Sequence, residues 1–128
     1  MTRRLLLDTD VLIDYLRARK EAVTYMTSLT DSLSMSVITV AELYAGVRDG
    51  AERVALEVFL RAFLILPISH KIAVKGGLYR RDYGKSHSVG LPDALIAATV
   101  EHHQATLVTL NNKHFPMLTN LVVPYQKP

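Results

Sequence analysis

The segment Leu5-Leu6-Leu7-Asp8-Thr9-Asp10 constrains the fold more than any other part of the chain. An apolar run stops within one residue at a carboxylate. The chain then turns apolar again with helical spacing through Val11-Leu12-Ile13-Asp14-Tyr15-Leu16. A buried strand that delivers a polar side chain at its C-terminal end, followed at once by a helix, is how an open α/β sheet builds a site. Three leucines carry Asp8 out of the core, so a surface charge is a poor account of it.

The pattern repeats along the chain. Strands are expected at Arg3–Leu7, Leu33–Val37, Leu64–Pro67, Ala105–Leu110 and Leu121–Val123. Helices are expected at Val11–Arg19, Glu21–Leu29, Val40–Val47, Glu52–Phe63, Lys71–Tyr83 and from Pro92 to about His103. Proline suits the first helical position. In Glu52–Phe63 the apolar positions Val54, Ala55, Val58, Phe59, Ala62 and Phe63 read as one helical stripe. Gly84–Gly90 reads as a polar loop. Strands alternating with helices argue for a parallel sheet covered on both faces.

A chain of 128 residues with 49% hydrophobic content is expected to form one domain, residues 1–128. It has no cysteine, which removes disulfides, thiolate zinc sites and cysteine nucleophiles together. Three leucines after Met1-Thr2-Arg3-Arg4 are too few for a signal-peptide core. No apolar run approaches the roughly 20 residues of a membrane span. A soluble, cytoplasmic protein without membrane contact is therefore expected. Lys and Arg total 15 against 12 Asp and Glu, a net charge of +3, which permits a polyanionic partner without demanding one.

Two further carboxylates, Glu42 and Asp93, lie near the starts of expected helices. Each has a plainer structural reading. Thr39-Val40-Ala41-Glu42 fits a capping box, and an acid in the first turn at Asp93 complements the helix dipole. Asp10 reads as the N-cap of the Val11 helix, and Asp14 as a solvated charge one turn on. In a parallel sheet, however, strand-to-helix junctions share one edge. Three carboxylates brought there would repel without a cation, and hard cations such as Mg²⁺ or Mn²⁺ require clustered carboxylate oxygens. Thr109, Asn111 and His114 follow the fourth strand and reach the same edge. Thr109 is placed to orient a carboxylate, and Asn111 to ligate a metal or bond a phosphate, although Asn111-Asn112 also reads as a simple turn.

The segments DTDVLIDYL, SVITVAELYAG, LPDALIAAT and LVTLNNKHF occur in an order and at intervals that resemble the PIN domain, specifically the VapC-type ribonuclease toxins. They span residues 5–115. The resemblance implies a three-layer α/β/α sandwich with a five-stranded parallel sheet and metal-dependent cleavage of single-stranded RNA. It aligns Asp8, Glu42 and Asp93 with the family's first three acids, Asp8 and Asp93 holding Mg²⁺ (or Mn²⁺). Where the family often carries a further acid, this chain has Asn111 and His114. The resemblance also implies a homodimer and a small antitoxin partner. The many apolar helical positions, among them Tyr15, Leu16, Leu43, Tyr44 and Val47, suit such interfaces.

A metal bound by these acids lowers the pKa of a water and stabilises charge on the phosphate. Glu42 would sit at the edge of the site or orient the attacking water. Arg80, Arg81, Lys85 and His87 precede Asp93 and are candidates to grip the RNA backbone, with a solvated helix end and loop as the plainer reading. Two alternatives stand beside this one. A haloacid-dehalogenase-type phosphatase would use Asp8 as nucleophile and Asp10 as acid/base, and would form an aspartyl-phosphate. A non-catalytic PIN-like interaction domain would keep the fold and lack cation-dependent cleavage.

Overall fold

The computed structural model describes residues 3–127; Met1 and Thr2 of the N-terminal segment, and Pro128, lie outside the described residues. Five strands are present: β1 (Arg4–Leu7), β2 (Ser32–Ser36), β3 (Leu64–Leu66), β4 (Thr106–Val108) and β5 (Leu121–Val122). Six helices connect them: α1 (Thr9–Leu16), α2 (Lys20–Ser28), α3 (Val37–Ala45), α4 (Ala51–Leu60), α5 (His70–His87) and α6 (Leu91–His102). A short 3₁₀ turn, Asn112–His114, precedes β5.

The strands form one sheet in the order β3-β2-β1-β4-β5, and every pairing is parallel. Alternation along β1 explains the three layers. Leu5 and Leu7 enter a cluster with Val11, Leu12, Leu43, Leu56 and Leu60 on one face of the sheet. Leu6 enters a second cluster with Ile96, Ala97, Val100 and Phe115 on the other. All three leucines are fully buried. Burial contributes roughly 1.5–3 kcal/mol for each such side chain. The central strand therefore sits under helices on both sides, as the leucine run requires.

Several boundaries differ from the sequence reading. Helix α3 begins at Val37, three residues earlier than expected, because Ser36 caps it by accepting from the Ile38 N–H at 3.0 Å. Helix α5 runs on through Lys85 to His87, so the expected loop is cut to three residues. Its last turn carries basic residues, which suit a helix C-terminus. Gly76 does not break α5, because it is where α6 approaches: a Cβ there would lie 2.6 Å from Leu95 Cδ2 and 3.2 Å from Leu95 Cα. In α4 the core stripe is Leu56 and Leu60, while Val54 and Val58 face outward. Of the expected stripe, Phe63 joins the same core and Phe59 packs against it, so the buried face only partly coincides with the expected one.

Candidate active site

In the order β3-β2-β1-β4-β5, the chain leaves β1 toward β2 and β3, then returns to β4 on the other side. The switch point lies between the C-terminal ends of β1 and β4, where open sheets place their sites. Asp8 ends β1 there. Its backbone N–H donates to Val108 O at 2.9 Å. Its carboxylate accepts from the Thr9 N–H at 2.8 Å and from the Thr109 hydroxyl at 2.8 Å. The second bond spans the switch point. Asp8 thus caps α1 while remaining a buried carboxylate, 5% exposed.

Asp10 is not the cap of α1. The helix starts at Thr9, two residues earlier than the apolar spacing suggests, and Asp8 takes that role. Asp10 instead reaches across to β4, accepting from the Val11 N–H at 2.7 Å and the Leu110 N–H at 3.0 Å. It is a member of the site that the capping interpretation obscured. The i, i+2 spacing from Asp8 was the available signal, since the strand ends at Leu7 and both acids lie in the turn into α1.

Asp93 reaches this edge by a different route from the one expected. It does not follow a strand; it lies in the first turn of α6, after α5. Helix α6 returns to the start of β4, so its own N-terminus lies at the other end of that strand, beside Asp8. Asp93 Oδ2 lies 3.1 Å from His114 Nδ1, and Asn111 Nδ2 lies 3.0 Å from the same nitrogen. Thr109, whose hydroxyl donates to Asp8, also accepts from the Asn111 N–H at 3.0 Å. Thr109, Asn111 and His114 are therefore connected to both aspartates.

Glu42 stands apart from the capping box. With Ser36 as cap it lies in the second turn of α3, and its Oε1 accepts from the Thr9 hydroxyl at 2.6 Å. Thr39, expected as the cap, is fully buried with its Oγ1 3.0 Å from Thr9 Oγ1. Thr9, which the sequence did not single out, links Glu42 to the Asp8 turn. Arg80 and Arg81 are exposed on α5 as expected, Lys85 is exposed on the same helix rather than on a loop, and Arg81 pairs with Asp82 at 2.8 Å. Among the described residues, none of these three is hydrogen-bonded to the acids.

Asp14 is a further correction. It is buried, accepting from the Tyr125 hydroxyl at 2.9 Å and pairing with Lys127 at 3.2 Å. The tail after β5 folds over α1 and covers it, a contact between residues more than a hundred positions apart.

Electrostatics single out Asp8. Loss of hydration on burial, then the charge of Asp10 and in smaller part that of Asp93, push its carboxyl up to about 7. The bonds from Thr109 and Thr9 work in the opposite direction. Burial raises Asp10 as well, offset by the Leu110 and Val11 N–H groups. No lysine or arginine is among the groups that shift Asp8. Asp8, buried beside Asp10, fits a bound metal ion, with Lys127 acting on Asp10 and His114 beside Asp93, and the oxygen-rich donors fit a hard one. Among the described residues, no three Asp, Glu or His side chains converge closely enough to hold an ion without moving. Asp10 is the nearer charge to Asp8, and Asp93 adds a smaller one.

The PIN domain family profile matches residues 5–118. The chain belongs to the PIN domain family. It is 39% identical over 127 residues to Ribonuclease VapC10 of Mycobacterium tuberculosis, a match covering 97% of this chain and 95% of that one. It is 37% identical over 124 residues to Ribonuclease VapC19 of the same species, covering 94% and 98%. Among solved structures it is similar to a chain of a toxin–antitoxin complex from Klebsiella pneumoniae, with a TM-score of 0.83 and 31% identity over 96% of this chain and 99% of that one. The five-stranded parallel sheet between helical layers is the PIN-like fold, and family membership sets the phosphatase alternative aside.

Proposed function

We propose that this PIN domain is a divalent-cation-dependent endoribonuclease and the toxin of a toxin–antitoxin pair, with residues 1–128 acting as one nuclease domain. The observation that carries the reading is the buried Asp8, at the sheet's switch point, whose carboxyl is raised by burial and by the charges of Asp10 and Asp93. The similarity to VapC ribonucleases supports RNA as the substrate.

Asp8 and Asp93 would hold Mg²⁺ or Mn²⁺, which when bound supplies an acidified water and charge stabilisation at the phosphate. Thr109 fixes the Asp8 carboxylate, so one oxygen is presented in a constant direction. Thr9 holds Glu42 at the edge of the site, where its second oxygen remains to accept a proton from water. In-line attack by that water would form the new P–O bond and break the P–O3′ bond, leaving a 5′-phosphate and a 3′-hydroxyl whose oxygen takes its proton from solvent. Arg80, Arg81 and Lys85 on α5 are exposed cations of the type that neutralise an RNA backbone.

Similarity to a chain from a toxin–antitoxin complex supports an antitoxin partner. A groove of about 540 Å³ runs between α1, α3 and α4, lined by Ile13, Leu16, Leu43, Val47 and Leu56, with Glu42 at its side. An amphipathic antitoxin helix would fit such a groove, whose walls also carry Arg17, Arg48 and Glu52, and an arginine on it would meet Glu42. Of the apolar positions named from sequence, Leu43 is buried and Tyr15, Tyr44 and Val47 are partly covered, which leaves Leu16 exposed. Val74 and Leu78, one turn apart on α5, and Leu91 are also exposed, an apolar face suited to a second copy of the chain.

The deciding experiment is cleavage of single-stranded RNA by purified protein. Cleavage should require Mg²⁺ or Mn²⁺ and should be lost in Asp93→Asn while circular dichroism is unchanged. Wild-type rates in a well-folded Asp93→Asn protein would defeat the assignment. No cleavage under any metal would favour a non-catalytic interaction domain. Light scattering that shows a strict monomer at micromolar concentrations would remove the homodimer.

A further inference from the structure

We infer that Lys127, laid along α1 by the segment after β5, is a phosphate-binding residue of the active site and takes the RNA backbone next to the bond that is cut. The inference rests on the ribonuclease reading above and names a binding residue for it. It starts from where that segment leaves the sheet. Strand β5 is parallel to β4, so its C-terminal end opens on the edge that carries Asp8. The Thr109 N–H donates to Val122 O at 3.0 Å, and the Thr109 hydroxyl donates to Asp8 Oδ2 at 2.8 Å. The segment therefore starts beside the acids, with one threonine between it and Asp8.

From there the chain folds over α1. The Tyr125 hydroxyl donates to Asp14 Oδ2 at 2.9 Å, and Lys127 Nζ lies 3.2 Å from Asp14 Oδ1. Pro124 and Tyr125 line a groove against Thr24 and Tyr25 of α2, so anchoring does not rest on the ammonium alone. Asp14 follows Asp10 by four residues, which puts it on the same face of α1 and about 6 Å further along the axis. The charge of Lys127 is felt at Asp10. Burial raises that carboxyl, and the Leu110 and Val11 N–H groups, then Lys127, act against the rise.

The ammonium can do more than pair with Asp14. It carries three donors, and the side chain is 48% exposed. Ion pairs this open to solvent are weak, so sharing the ammonium with a phosphate oxygen costs little. The need for a cation is plain from the site itself. Asp8, Asp10, Glu42 and Asp93 all repel an approaching strand. A bound dication offsets charge at the reacting phosphate, and the phosphates on either side call for a cation of the protein. A separation of about 6 Å from Asp10 along α1 is one or two nucleotides of a strand that advances about 3.4 Å per residue. Arg80, Arg81 and Lys85 stand on α5, whereas Lys127 is tied to the helix that carries Asp10.

The test is steady-state cleavage of a single-stranded RNA at fixed Mg²⁺ or Mn²⁺, with KCl varied from about 50 to about 200 mM. K127Q should raise KM about threefold and leave kcat within about twofold of wild type, because it removes a binding contact and no reacting group. Its plot of log kcat/KM against log salt should be shallower by about 0.7, the slope that one phosphate contact gives on a single strand. K127R keeps the charge and should keep the wild-type slope. A purely structural pairing of Lys127 with Asp14 would not move that slope. A wild-type slope in K127Q therefore overturns the inference whatever its KM, and leaves the ribonuclease reading standing. A wild type that cleaves no RNA with either metal defeats both.

Discussion

Replacing Asp8 by asparagine should stabilise the metal-free protein, and more so as pH rises. The folded-state pKa of Asp8, about 7, lies above its ordinary value of 3.8. The protonated form is thus the one that folding favours. Its contribution is complete below the unfolded value and is lost as pH rises through about 7. The full difference corresponds to about 4 kcal/mol opposing folding above that pH. The leucines of β1 can bear this, since three buried leucines contribute roughly 5–9 kcal/mol. Asparagine removes the charge and keeps the acceptor for the Thr9 N–H. Between pH 5 and pH 8 the stability gap between D8N and wild type should widen by about 2.5 kcal/mol, the part of the linkage that falls in that window. Because the gap is compared with itself across pH, any constant packing difference drops out. Urea denaturation in EDTA across pH 5–8 measures it. Added Mg²⁺ or Mn²⁺ should raise the wild-type midpoint and leave D8N nearly unmoved, since only a folded site binds the ion. A gap that stays flat with pH would refute the account of Asp8 as a charge buried without compensation.

Three further outcomes follow from other contacts. Glu42→Gln and Glu42→Ala should both slow RNA cleavage while changing stability by no more than about 0.5 kcal/mol, because Ser36 and not Thr39 caps α3; an early-melting Glu42→Ala with normal cleavage would restore a capping role. Gly76→Ala should cost about 1–3 kcal/mol in denaturation experiments despite alanine's better helix propensity, because its Cβ would meet Leu95 at 2.6 Å; an unchanged or higher melting temperature would show that α6 gives way freely. Asp14→Asn should cost about 1.5–3 kcal/mol and speed amide exchange near Tyr125, since it weakens charged hydrogen bonds to the tail; unaltered exchange there would mean the tail is held by something else.

How much of this was legible in the sequence depended on how local the deciding physics was. Strand and helix order came from periodicity and from the leucine run, because burial on both faces of a parallel sheet leaves little room for another pattern. Asp8 was legible for the same reason: the leucine run carries it to the sheet's C-terminal edge, where it caps α1 and faces the switch point. Helix starts were less so, because Asp8 and Asp10, or Ser36 and Thr39, are chemically equivalent caps and only the strand's last paired residue chooses between them.

By itself, then, the sequence determined the layers and the central strand, which follow from residue type and spacing, and it supplied the acids. Tertiary structure decided which of them meet. Asp93 reaches Asp8 because α6 runs back along β4, Asp10 joins the site because the Leu110 N–H lies opposite it, and Asp14 is buried because the tail crosses α1. Each is a contact across a sheet edge between residues far apart in the chain. Their geometry comes from strand order and helix direction, which no local propensity encodes.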